Sequence, residues 1–344
     1  MSPSRVTIVD LARELGISKT TVSDALQGRG QVADATRERV RAAAERLGYV
    51  QNRAARNLRT SRVGAVGLHV PPVVREFSFY MEFAFGAVQG AAVLDTDLVL
   101  FARDPDHAAG RPFAVDGAIV VDPLPDDPIV RRLKQQGVPV VTVGRCLGDD
   151  PPVVDATIEA THAARAREVL DDLWAAGRRR PAFLGSDALF FSSWAFDVRD
   201  AYLRWCADHD VAPRLDDVAV TAGPDEVRRT VEELVDAPDV DALVCAPQGF
   251  AGRARGILAA TGRDVTAGFD LVSLVGDPAT ELNDPAITVV DPTPFAFGEE
   301  SAALLGEVLA GTLDGPVARY HEARIRRSDA LAAALRRADR GPRG

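Results

Sequence analysis

Apolar residues recur at Ile8, Leu11, Ala12 and Leu15, the i, i+3, i+4, i+7 rhythm of one helical face, and stop at Gly16. Thr7 stands ahead of that face with Asp10 three residues on, an N-terminal capping signal. Beyond the glycine, Ile17 plugs the turn, Ser18 caps a second helix, and Val22, Ala25 and Leu26 form its buried face. A third helix is predicted from Asp34, with Val40, Ala44 and Leu47 inward and Arg37, Arg39, Arg41 and Arg46 mostly outward, Asp34 capping where Ala33 cannot. Past Arg62 the texture changes to short apolar runs alternating with amphipathic stretches. Strands are predicted at 63–70, 98–102, 117–121, 138–143, 182–185, 242–246 and 287–290, and helices near 80–92, 129–136, 158–176, 199–209, 226–235, 252–261 and 297–310. Repeated βα units of this size imply parallel sheets covered by helices, with ligands at the carboxyl ends of the strands.

Charge sharpens the division. Residues 1–62 hold 12 Lys/Arg against 6 Asp/Glu, while the remainder of the 344-residue chain holds 28 against 44. A basic unit on an acidic body fits polyanion binding at one end only. With 47% hydrophobic residues the chain can build a sizeable core. It contains no long apolar run and no signal-like start, so cytoplasmic residence and no membrane partner are expected. Cys146, Cys206 and Cys245 are isolated and suggest neither a disulfide framework nor a zinc site.

The two helices around Gly16 follow helix-turn-helix logic and leave Lys19, Thr20, Ser23 and Asp24 available to a DNA groove. Amphipathic helices with arginines on the wet face also occur in many other folds. What distinguishes this segment is its continuation, Leu47-Gly48-Tyr49-Val50-Gln51-Asn52-Arg53-Ala54-Ala55-Arg56-Asn57-Leu58. Over residues 7–58 the chain resembles the LacI/GalR family of bacterial transcription regulators.

That resemblance implies an all-α helix-turn-helix headpiece at 1–50, a hinge helix and linker at 51–62, and a two-lobed α/β periplasmic-binding-protein-like effector and dimerisation domain at 63–344. The N-lobe is expected at about 63–155 and 291–318, the C-lobe at about 156–290 and 319–344. It makes Lys19 and Thr20 base-reading positions, and Thr7, Ser18, Thr21, Ser23 and Tyr49 phosphate-positioning or capping groups. Asn52, Ala55, Arg56 and Leu58 fall on the hinge, where Leu58 would wedge into a minor-groove step. The family usually has arginine where this chain has Asp24, and an aspartate cannot bond guanine as arginine does.

In the body the resemblance is carried by pieces such as Arg199-Asp200-Ala201-Tyr202, Gly268-Phe269-Asp270 and Val290-Asp291. It implies that Arg199 and Asp270 hold ligand hydroxyls, with an interlobe salt bridge as the alternative. Phe79, Tyr80, Trp194, Gln248 and Asp291 complete the expected ligand set, although rings at such spacing serve core packing equally well. Relatives often carry Asn-Asp where Pro247-Gln248 stands here, and their Asp-Asn near the first crossover is matched to Asp155-Ala156, which weakens a sugar-binding expectation. The stretch 103–115 is short and holds Pro105, Gly110 and Pro112, so the helix usual there is expected to be absent or reduced to a turn.

No nucleophile motif, His-x-x-x-His pair or Gly-x-Gly-x-x-Gly loop occurs, so no enzyme, cofactor or metal is expected. The expected function is a homodimeric regulator, a repressor of a double-stranded, roughly palindromic operator, tuned by a small sugar- or nucleoside-like effector. The alternatives are a ligand-independent regulator or activator of the same family and, more remotely, a solute-binding protein.

Overall fold

The computed structural model describes residues 6–28, 30–49, 62–71, 77–101, 112–186, 192–263, 265 and 268–339. The chain divides into two compact units, Met1–Val63 and Gly64–Gly344.

In the first unit α1 (Ile8–Leu15), α2 (Lys19–Gln27) and α3 (Asp34–Arg46) close on a core of Leu11, Ala12, Val22, Ala25, Val40, Ala43 and Ala44. Thr7 and Asp10 form a reciprocal capping box on α1, and Gly16 ends it in the left-handed conformation at φ +67°. The Ser18 hydroxyl caps α2 by accepting from Thr21 N–H at 3.0 Å. No side chain caps α3 at Ala33; the exposed Asp34 carboxylate pairs instead with Arg37 at 3.2 Å.

The second unit contains two six-stranded sheets. The first has the order β11-β5-β4-β3-β1-β2 and is wholly parallel, from β1 (Ala65–His69), β2 (Asp97–Phe101), β3 (Gly117–Val121), β4 (Val140–Val143), β5 (Ala156–Ala160) and β11 (Val317–His321). The second has the order β12-β10-β9-β8-β6-β7, from β6 (Pro181–Ser186), β7 (Arg214–Val218), β8 (Ala242–Cys245), β9 (Asp270–Ser273), β10 (Ile287–Asp291) and an antiparallel β12 (Arg324–Arg326). The helices are α4 (Ser78–Val93), α5 (Pro128–Gln135), α6 (His162–Ala175), α7 (Ser193–Asp208), α8 (Pro224–Leu234), α9 (Phe250–Ala260), α10 (Pro294–Ala310) and α11 (Asp329–Asp339). Each lobe keeps apolar clusters on its sheet, such as Val66, Leu68, Ile119 and Val141 in one and Leu184, Leu243, Leu271 and Ile287 in the other.

The sheets move the expected lobe boundaries. β5 pairs with β4, so the first lobe extends to about residue 160 rather than 155, and β11 carries its last segment to His321 rather than 318. The span read as one helix from 158 to 176 is thus the end of a strand followed by α6. α4 and α10 pack unusually closely: a Cβ on Gly86 would lie 1.9 Å from the Phe295 carbonyl oxygen, and one on Gly298 would lie 2.1 Å from that of Phe83. Only glycine permits that approach. Most of the 103–115 stretch lies outside the described residues.

Candidate functional site

Two sites emerge, one in each unit. In the first, α2 exposes Lys19 and Thr20 to solvent, as expected of groups that reach into a groove. Thr7 and Ser18 are exposed at the N-termini of α1 and α2, where backbone N–H groups can also receive a phosphate. Thr21 Oγ1 is hydrogen-bonded to Ser18 Oγ at 2.8 Å, and Tyr49 is half-buried against the helical core. Ser23 is buried, so it belongs to the packing of the unit more than to its surface. Asp24 is half-buried with its carboxylate beside Gly30, whose added Cβ would stand 3.2 Å from Oδ2. Asn52, Ala55, Arg56 and Leu58 lie outside the described residues.

In the second unit a cleft of about 620 Å³, counted with its open mouth, lies between the two sheets at the carboxyl ends of their strands. From the first lobe Phe79 and Tyr80 enter it at the start of α4, Asp122 after β3, Gly144 after β4, Glu159 at the end of β5, and Phe297 from α10. The second lobe supplies His162, Ser193, Trp194, Asp197, Pro247 and Gln248, at helix starts or just beyond strand ends. This is the placement general to parallel sheets, and the size suits a small molecule.

Bonds cross the cleft at three places. Gln248 Oε1 accepts from Phe79 N–H at 3.2 Å while its Nε2 donates to the Gly276 carbonyl at 3.0 Å. Ser78 Oγ donates to Asp277 at 3.0 Å. Arg145, in the loop after β4, donates to Glu159 at 2.7 and 2.9 Å and to Asp197 of α7 at 2.6 and 3.1 Å. Hydrogen bonds to Asp197 and then Glu159 hold its guanidinium charged, raising its pKa further above the ordinary arginine value.

Three groups in the cleft are shifted from their ordinary pKa values. Burial pushes the Asp122 carboxyl up to about 7, against the opposing pull of the Tyr80 O–H that donates to it at 2.6 Å. The Tyr80 hydroxyl is itself raised by burial and by the adjacent carboxylate. Burial, helped by His321, lowers His162 to about 4, so its imidazole is neutral at pH 7.

Of the expected ligand residues, the cleft brings together Phe79, Tyr80, Trp194 and Gln248. Arg199 is outside this set: it pairs with Asp217 of β7. Asp270 is the first residue of β9, at the end remote from the cleft, and it accepts from Arg178 Nε at 2.6 Å. Both pairs are ion pairs of the second lobe, neither bridging the lobes nor lining the cleft. Asp291 ends β10 and accepts from Thr293 N–H at 2.8 Å, turning the chain toward α10. Asp155 likewise lies before β5, where it accepts from Val140 N–H and Lys134. The acidic groups that do face the cleft or its edge are Asp122, Glu159, Asp197 and Asp277. The turn signal Gly276-Asp277-Pro278 following the Leu271–Val275 apolar run could have identified the last.

Comparison with known proteins follows the same division. Residues 7–52 match the family described as bacterial regulatory proteins, lacI family, and residues 170–328 match a periplasmic binding protein-like domain. The HTH-type transcriptional regulator CelR of Thermobifida fusca is 30% identical over 331 residues, covering 91% of this chain and 94% of CelR. The regulator RafR of Escherichia coli is 38% identical over 144 residues, 39% of this chain and 43% of RafR. Among solved structures, a CelR–cellobiose complex superposes with a TM-score of 0.66 at 26% identity, covering 95% of this chain and 100% of that one. A lac repressor dimer bound to operator and an anti-inducer superposes with a TM-score of 0.74 at 19% identity, covering 95% and 99%, a likeness of fold.

Proposed function

Because the chain belongs to the lacI family of bacterial regulatory proteins, it is a DNA-binding transcriptional regulator, and we propose that it acts in the cytoplasm as a homodimeric repressor of a roughly palindromic operator, controlled by a small metabolite in the interlobe cleft. The observation that carries this reading is the exposed Lys19-Thr20 surface of a firmly capped second helix, in a basic unit joined to a body with a cross-bonded cleft. Lys19 and Thr20 read base edges, while Thr7, Ser18, Thr21 and Tyr49 position the headpiece on phosphates or hold its caps. Asp24 contributes no guanine contact, and its place beside Gly30 supports a role in the turn after α2.

Asn52, Ala55, Arg56 and Leu58 form the hinge in this reading. So short a helix is marginal alone in water and orders when two copies pair on DNA, with Leu58 wedged into a base step. The second copy is supported by the outer face of α4, where Met81, Phe85 and Val88 stand 59%, 57% and 48% exposed at i, i+4 and i+7. A metabolite entering the cleft competes with or reinforces the bonds at Gln248, Asp277 and Arg145, changes the lobe angle, and so alters the spacing of paired hinges. A hundredfold change in operator affinity requires only about 2.7 kcal/mol of such coupling.

Leu58→Ala tests the hinge. Operator affinity measured by gel shift should fall markedly while urea unfolding of the body is unchanged; normal binding by the variant contradicts the wedge.

A further inference from the structure

The side-chain hydrogen-bond donors of the cleft are largely engaged. Asp122 is engaged by Tyr80, and Glu159 and Asp197 share Arg145. Ser193 Oγ accepts from Arg145 N–H at 3.0 Å and donates to Glu159, and both ends of the Gln248 amide are occupied. A ligand can still donate to lone pairs left on these carboxylates, but one whose own oxygens need many donors would have to break several of these bonds, each a loss to be recovered before any affinity is gained.

His162 differs. Its Nδ1 is buried with no hydrogen-bond partner, the imidazole is neutral, and its ring centroid lies 6.0 Å from that of Trp194. Five aromatic side chains, Phe77, Phe79, Tyr80, Trp194 and Phe297, supply much of the remaining wall. Three carboxylates, Asp122, Glu159 and Asp197, line the cleft, and the Arg145 guanidinium at its edge is already held by Glu159 and Asp197, which disfavours an anion.

Taking the cleft as the effector site, as proposed above, we infer that its ligand is a flat, ring-bearing molecule of neutral or positive charge that lies against the Trp194 wall and donates one N–H or O–H to His162. Rings offer large contact area with few polar demands, which is what this lining can satisfy. One donor is enough to fix orientation, because the neutral imidazole has one acceptor nitrogen.

The test uses the full chain and isothermal titration with four probes sharing one ring, and cellobiose beside them. Indole and tryptamine should bind; indole-3-acetate should bind about tenfold more weakly because of its charge, and 1-methylindole about tenfold more weakly for want of its donor. In His162→Ala, and in His162→Phe as a shape-preserving control, indole and 1-methylindole should become equal. Failure of both indole and tryptamine to bind, tighter binding of cellobiose than of either, or equal binding of indole and 1-methylindole to the unaltered protein overturns the inference. If the rings bind as expected but leave operator affinity unchanged, the ligand class stands and the effector role of the cleft falls.

Discussion

Asp122→Asn should flatten the pH dependence of stability in the two-lobed body. The carboxyl is 7% exposed, accepts from Tyr80, and titrates near 7 in the folded protein, against an ordinary value of 3.8. Its folded pKa is raised, so the folded state binds the extra proton. Below about pH 4 both folded and unfolded chains are protonated and the group is neutral to stability. Between about pH 4 and 7 stability falls as pH rises, and above 7 the loss is complete. Three pKa units at about 1.4 kcal/mol each set an upper bound of roughly 4 kcal/mol, of which about 2–3 falls between pH 5 and 8. Asparagine retains a carbonyl acceptor for the tyrosine but cannot ionise. Urea unfolding of both proteins at pH 5, 6, 7 and 8, followed by near-UV circular dichroism, should show the variant gaining on the parent by about 2 kcal/mol across that range. Parallel profiles would refute the argument that a buried, proton-binding carboxyl lies at this position.

Two further substitutions probe the scaffold of each site. Gly86→Ala forces α4 and α10 apart, since its methyl would meet the Phe295 carbonyl oxygen, and should lower body stability by about 1–3 kcal/mol in urea; a change within about 0.5 would show that the helices can separate freely. Ser18→Ala removes the cap of α2 and should cost the DNA-binding unit about 1 kcal/mol in thermal melts, with Ser18→Asp restoring most of it.

The DNA-binding unit was legible because its signals are local: caps at Thr7 and Ser18, a left-handed glycine between them, and a helical period short enough to read without tertiary information. Two placements went astray: the Asp34 carboxylate pairs with Arg37 instead of capping α3, and Ser23 is buried instead of facing a groove. The body was legible at its seven most apolar strands and less so elsewhere. β7, β11 and β12 are strands with polar or exposed faces, Arg-Leu-Asp-Asp-Val, Val-Ala-Arg-Tyr-His and Arg-Ile-Arg, formed because a neighbouring strand offers hydrogen bonds. β5 contains Ala-Thr-Ile-Glu-Ala, whose alternation was submerged in the helix that follows. α11 lies beyond the last predicted helix, and its Leu331 buries in the second lobe and anchors it.

Losing β5 and β9 misplaced the site. Gly268-Phe269-Asp270, assigned to the ligand by resemblance, precedes β9, so its aspartate falls at the end of the sheet away from the cleft and Asp277 takes the cleft end. With β5 absorbed into the predicted helix at 158–176, Glu159 was hidden as a cleft residue. A one-strand error in a parallel sheet moves a residue by the strand's full length, from one face of the domain to the other. Phe79, Tyr80 and Trp194 do reach the cleft, because each sits at the start of a helix that follows a strand end.

Selection of the purified full chain against a pool of random DNA duplexes, sequenced after successive rounds at near-physiological salt, addresses the central claim directly. The account predicts enrichment of one roughly palindromic sequence, bound far more tightly than random duplex and lost when Lys19→Ala and Thr20→Ala are combined. A pool that stays unenriched, or an enriched sequence that the doubly substituted protein binds equally well, would contradict the assignment of this chain as a regulator reading DNA through α2.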